Sequence, residues 1–174
     1  PDDDDQATKY LLAQAHLGAA GLHWYEVSNW ARPGHECRHN QMYWAGGDYR
    51  GFGCAAHSHR AERRWWNLRT PERYIAAVAA AEPVEAAGET LDPTTRAMET
   101  LQLALRTRDG VPLASLDLDD PDLTGLVTRV GDRAVLTATG RLLANEVSHR
   151  LRTETPVDVS STMVRSGRPE LDRG

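Results

Sequence analysis

The chain has 174 residues, with 20 Lys and Arg against 25 Asp and Glu and a formal net charge of −5 at pH 7. That length suffices for one ordinary domain, or two small ones, with a real core. The acidic balance argues against general affinity for nucleic acid or an anionic membrane. No stretch reads as a membrane span or a leader peptide, and Cys37 and Cys54 are the only cysteines. Without C-x-x-C spacing they point to free thiols in a reducing compartment, so the expected location is the cytoplasm. Lys9 is the only lysine, and the arginines are scattered, as compositional bias leaves them. Pro1–Asp5 is not an initiator sequence, and the chain is expected to begin inside a longer protein.

Asp2–Asp5 places carboxylates at the start of a helix over Ala7–Leu17, and Gly18 and Gly21 supply its stop. Leu22–Val27 is aromatic and β-branched, which predicts a strand. Helix, short loop and strand make half of an alternating α/β unit, whose strand is expected to need parallel neighbours. Residues 28–62 read as irregular, crowded with histidine, cysteine and aromatics, and a loop of that length is usually functional. Thr70-Pro71 is a cap followed by proline, opening a helix with Tyr74, Ile75 and Val78 on one face. Glu82–Glu89 reads as a linker. Asp92-Pro93 repeats the cap signal and opens a helix bearing Met98, Leu101 and Leu105, which ends before Gly110. A short helix is expected near Leu123. Val127–Val130 and Ala134–Thr137 flank Gly131-Asp132, a hairpin signal. Thr137 or Thr139 caps a last helix with Leu143, Val147 and Leu151 on one face. From Thr153 onward the composition predicts a disordered tail.

Two segments carry unusual chemistry. In Arg32–Trp44, the residues His35, Cys37 and His39 alternate, so an extended chain would project them from one side. All three suit soft or borderline metals, and histidine and cysteine are common axial ligands of haem iron. Tyr43 and Trp44 could stack on a flat macrocycle, whereas surface histidines and packing aromatics are the plain alternative. Structural zinc is poorly served, since only His57 and His59 offer a second ligand pair. In Gly51–His59, Gly51 and Gly53 permit a close backbone approach, with a tight turn as the simpler reading. A nucleotide-binding fingerprint does not follow.

Tyr25-Glu26-Val27-Ser28-Asn29-Trp30-Ala31, then Pro33-Gly34, then His39-Asn40-x-x-Tyr43-Trp44, resembles the HemW family of radical S-adenosylmethionine proteins, which are similar to oxygen-independent coproporphyrinogen III oxidases. The glycine segment through His57, then Trp66-Asn67, and later Leu136-Thr137-x-x-Gly140-Arg141-Leu142-Leu143 follow in the family's order. The resemblance covers about Asp5 to Leu151, and H-N-x-x-Y-W is its most specific element. Ala55 departs from it, standing where the family usually has glycine.

The resemblance implies the C-terminal portion of such a protein: an α/β plus α+β fold, with the end of a partial (β/α) radical-SAM barrel followed by a small helical, winged-helix-like domain. The implied division is 1–60 for the barrel end and haem-motif loop, 61–90 for a connecting strand, helix and linker, 91–152 for the C-terminal domain and 153–174 for the tail. The implied function is haem binding, by His39, Asn40, Tyr43 and Trp44, and delivery to haem-accepting proteins such as respiratory enzymes, membrane-associated ones included. His35 and Cys37 are the rival ligands, and Asn40 is expected to brace backbone or a propionate. A [4Fe–4S] cluster and S-adenosylmethionine would belong to the full-length protein, because this chain has no C-x-x-x-C-x-x-C. The second reading within the family is oxidative decarboxylation of coproporphyrinogen III. From another class comes a winged-helix DNA-binding module, with Arg129, Arg133, Arg141 and Arg150 as phosphate contacts.

Overall fold

The computed structural model describes residues 2–153. The expected tail from 154 on lies outside them. Helix α1 spans Asp3–Ala19, and the Asp2 carboxylate accepts the Asp4 N–H at 3.1 Å as its cap. Strands β1 (His23–Glu26) and β2 (Asn29–Ala31) form an antiparallel hairpin. The expected parallel neighbours of residues 22–27 are absent among the described residues. The open edge of β1 is satisfied instead by the chain after residue 105: Val27 N–H donates to Arg106 O at 2.9 Å, and Arg108 N–H to Tyr25 O at 3.1 Å.

Helix α2 (Arg38–Trp44) and strand β3 (His57–Arg60) lie within the segment expected to be irregular. Strand β4 (Arg63–Asn67) is the centre of a three-stranded antiparallel sheet, β3-β4-β5. Its outer partner β5 (Glu85–Thr90) occupies the expected linker. All six residues of β5 are exposed, so it shows no buried-face alternation; pairing with β4 makes it a strand. Gly88 is needed there, because a Cβ would come within 2.9 Å of the Trp65 side chain. Between β4 and β5, helix α3 (Pro71–Ala79) buries only Ala77. Ile75 and Val78, expected to share a face with Tyr74, turn to solvent at 65% and 56% exposure.

Helix α4 (Pro93–Leu105) runs as its sequence predicts, with the Asp92 carboxylate accepting the Thr94 and Thr95 N–H groups, both at 3.0 Å. Strands β6 (Val111–Pro112), β7 (Val127–Val130) and β8 (Arg133–Leu136) form a second antiparallel sheet in the order β6-β8-β7. Gly131, at φ +61°, makes the β7–β8 turn. Thr137, not Thr139, caps the last helix. That helix is broken at Leu143 (φ −111°, ψ 28°) into α5 (Ala138–Leu142) and α6 (Ala144–Ser148). Leu143 therefore points to solvent, while Val147 is fully buried.

One apolar cluster joins α4, β6, β8 and α6 through Leu105, Val111, Leu136, Val147 and Leu151, and Val27 from the end of the first hairpin packs into it. Each such aliphatic side chain contributes roughly 1.5–3 kcal/mol by leaving water. Arg64 on β4 pairs with Glu89 on β5 at 2.6 Å and Glu99 on α4 at 3.2 Å, tying the first sheet to α4. Among the described residues, no helix is long and apolar enough to cross a membrane.

Candidate functional site

The approach to α2 is set by Arg32-Pro33-Gly34-His35. The His35 N–H donates to Arg32 O at 2.9 Å, and Gly34 has φ +81°. Proline followed by a left-handed glycine is the arrangement of a type II turn. Glu36 comes next and pairs with Arg108 at 3.0 Å. Its own backbone N–H, and then the Arg108 charge, hold its carboxyl below the usual glutamate range. Cys37 begins the helix without a side-chain cap, and its N–H donates to the Tyr25 hydroxyl at 3.2 Å. His35, Cys37 and His39 thus sit in a turn, at a helix start and on the helix. They do not form the single extended row that their alternation suggests. The helix was hidden because its His, Asn and Gln give no apolar period.

His39 and Tyr43, four residues apart, share a face of α2. Their rings meet edge to face with centroids 4.8 Å apart. The aromatic contact continues from Tyr43 to Tyr49 at 4.3 Å and from Tyr49 to His59 at 5.9 Å. Burial, with the neighbouring Tyr43 adding to it, keeps the Tyr49 phenol neutral above its ordinary range. His59 Nδ1 lies 3.3 Å from Gly47 O. Tyr43, Tyr49 and His59 line a cavity of about 190 Å³ together with Arg64 and Arg96. The imidazole of His39 itself is exposed, as are His35 and Cys37, and Asn40 is half-buried.

Trp44 faces elsewhere. It packs on Tyr25 at 5.6 Å and lines a separate cavity of about 330 Å³ that includes Arg108 and Arg133. Adjacent helical residues diverge by about 100°, so Tyr43 and Trp44 supply two different walls. Asn40 is turned from His39 by the same angle.

The glycine segment is braced from behind. A Cβ on Gly51 would come within 2.2 Å of His57 O, so only glycine fits. Gly51 N–H donates to Ser58 Oγ at 2.9 Å, Gly53 N–H to the Tyr74 hydroxyl at 3.2 Å, and Asn67 Nδ2 to Gly53 O at 2.9 Å. Asn67 and Ser58 are both buried. Ala55 has φ +57°, a conformation that costs an L-residue roughly 1–2 kcal/mol. Its N–H is fixed on Leu68 O at 2.9 Å, so it cannot relax without losing that bond. Ala55→Gly is therefore expected to stabilise the chain by about 0.5–1 kcal/mol, after subtracting glycine's extra unfolded-state entropy. A melting curve checks it; an unchanged or lower midpoint contradicts it.

The four arginines suggested for DNA phosphate are engaged within the chain. Arg129 Nε donates to Gly131 O at 3.0 Å, and Arg133 to the carbonyls of Asp109 and Gly110. Arg150 pairs with Asp120 and Asp122. Arg141 is 5% exposed, holds the Tyr10 hydroxyl at 3.0 Å and the Gln14 amide oxygen, and lies 4.2 Å over the Trp24 ring. It fastens α5 to α1 and β1.

A chain described as "Heme chaperone HemW" from Mycobacterium tuberculosis (strain H37Rv) is 45% identical over 157 residues, covering 87% of this chain and 40% of its own length. Proteins of the same description from Synechocystis and Bacillus subtilis are 34% and 32% identical, over 76% and 84% of this chain and 34% and 42% of their own lengths. This chain belongs to the HemW family. It spans about 40% of the M. tuberculosis relative's length. No protein-family model matches it. In fold it is similar to a solved Escherichia coli coproporphyrinogen III oxidase (HemN), described as a radical SAM enzyme, with a TM-score of 0.62 and 18% identity over 80% of this chain and 39% of that one. This chain therefore shares its fold with part of that solved protein, and its sheets form no closed barrel among the described residues. Its two cysteines cannot supply the three thiolates of a C-x-x-x-C-x-x-C motif, so its own residues do not fit a [4Fe–4S] cluster.

Proposed function

We propose that this chain handles haem: α2 receives the iron through His39 and the segment passes haem on to an acceptor protein. The single observation that carries the reading is the exposed His39 imidazole on a seven-residue helix, set edge to face against Tyr43. An imidazole is a good haem ligand when its ring orientation is held, and Tyr43 holds it. An exposed ligand on a short helix without a side-chain cap suits release better than permanent retention. Tyr43 and Trp44, on separate walls, supply apolar surface on either side of the helix. Cys37 and His35 remain the rival ligands in the turn before it.

The cluster and S-adenosylmethionine belong, on this reading, to the longer protein, and coproporphyrinogen decarboxylation would need both. The division into 1–60, 61–90 and 91–152 is retained as a proposal, as is a cytoplasmic site of action. Acceptors would be haem proteins, respiratory enzymes among them, reached in solution or at a membrane surface. The test is transfer. Haem-loaded chain is mixed with an apo-globin and the shift of the Soret band is followed. Transfer that saturates with chain concentration, faster than from free haem aggregates, is expected. Haem that stays on the chain, or never binds it, rules the reading out.

A further inference from the structure

The cavity beside Trp44 has features that stacking alone does not require. Tyr25, Trp44, Thr107, Arg108, Asp109 and Arg133 are among the residues that line it, around a space of about 330 Å³. Two guanidinium groups in one small cavity repel each other unless an anion joins them. Arg133 spends Nε and one terminal nitrogen on the carbonyls of Asp109 and Gly110, at 3.0 and 2.6 Å. Those acceptors are neutral, and among the described residues no carboxylate is paired with Arg133 within 4 Å, although Asp109 lines the same cavity. Arg108 pairs with Glu36 at 3.0 Å, and the Glu36 side chain is only 11% exposed. Glu36 follows the Pro33-Gly34 turn and directly precedes Cys37 and α2. The cavity's cationic side is thus joined to the chain that leads into the haem-motif helix.

We infer that this cavity is the subsite for a carboxylate on the edge of a flat ligand stacked against Trp44, with Arg108 as its clamp and Glu36 as the internal carboxylate that occupies the clamp beforehand. The inference rests on the haem reading, because haem's propionates supply such an edge, but it does not depend on which residue ligates the iron. The space takes an edge substituent, not a macrocycle. Arginine matches a carboxylate with two parallel N–H donors, so a propionate can replace Glu36 one for one. Arg108, whose side chain is 44% exposed, stays paired throughout, and the released Glu36 carboxylate has to turn towards water. Asp109 at the cavity's edge disfavours a second, unpaired anion, so one carboxylate is accommodated.

The experiment compares haem with its dimethyl ester, in which both propionates are neutral, as ligands of the full chain and of two variants. The unaltered chain should prefer haem by roughly tenfold, the scale of one charge-assisted bond. Arg108→Gln should abolish that preference while leaving ester binding unchanged. Glu36→Gln, which frees Arg108, should tighten haem severalfold and leave the ester unchanged. Both substitutions break the same ion pair, so a merely structural brace would move haem affinity in the same direction in both. That result, or an Arg108→Gln chain that still prefers haem, overturns the clamp while the haem reading stands. Failure of the unaltered chain to bind either ligand overturns both.

Discussion

Replacing Glu26 with alanine is expected to cost about 3 kcal/mol and to lower the melting point by about 10 °C. Glu26 is 3% exposed and its two oxygens are fully used. One accepts the Ser28 N–H at 2.9 Å and the Asn29 amide at 2.7 Å, closing the β1–β2 turn; the other accepts Arg106 Nε at 3.0 Å. Removing the carboxylate strands these donors at the point where β1 meets the chain after α4. The figure lies at the low end for a broken buried pair because the Arg106 side chain is 36% exposed and can rehydrate. Glu26→Gln keeps one acceptor but turns an amide N–H₂ towards a donor, so it should recover no more than about half of the loss. Thermal unfolding followed by circular dichroism decides it. An alanine variant within 1 kcal/mol of the parent, a bound on the order of one ordinary hydrogen bond, would show that the hairpin does not depend on this carboxylate.

Gly140→Ala should be of similar severity, about 3 kcal/mol. Glycine to alanine inside a helix ordinarily stabilises, by up to about 1 kcal/mol. Here the added Cβ would lie 1.8 Å from Leu126 O. That carbonyl cannot easily withdraw, since it accepts the Thr137 N–H at 2.9 Å and leads directly into β7. Gly18 in α1 is the control: a Cβ there meets nothing within 4 Å. Gly18→Ala should stabilise by roughly 0.5–1 kcal/mol. Opposite signs for the two substitutions are expected from denaturant titrations. Equal, small effects would mean that α5 does not sit against Leu126 as closely as described.

Where the sequence carried local chemistry, the fold was legible. Asp92-Pro93 opened α4, Gly131-Asp132 turned β7 into β8, and the order of motifs placed the chain in its family. Three features were not legible, each for a physical reason. Strand β5 is an exposed edge of Glu, Ala, Gly and Thr, with no buried face to write a period of two. Helix α3 shows an apolar period, but Ile75 and Val78 lie outward among the described residues. Helix α2 is short and polar. At the site, the motif groups His39, Asn40, Tyr43 and Trp44, whereas the folded helix sends Tyr43 and Trp44 into two separate cavities that neither His39 nor Asn40 lines. Arg108 was not singled out at all, because its partner Glu36 is 72 residues away in sequence, taking the two positions directly (108 less 36). Glu26 was quoted in its motif, but its bonds to Ser28, Asn29 and Arg106 require the folded hairpin. Ala55 was marked only as a departure from family glycine; its φ of +57° supplies the reason.

The central claim is that α2 presents an iron ligand, and a haem titration of the full chain tests it most directly. The Soret band is followed for the parent, His39→Ala, Cys37→Ala and Trp44→Ala, since imidazole and thiolate ligation give different spectra. The account predicts an imidazole-type spectrum and at least tenfold weaker binding for His39→Ala, equivalent to about 1.4 kcal/mol. Trp44→Ala should weaken binding without changing the spectrum, and Cys37→Ala should leave both unchanged. If His39→Ala binds as the parent while Cys37→Ala does not, the ligand is Cys37. If none of the three substitutions alters binding, α2 is a structural helix and the account is contradicted.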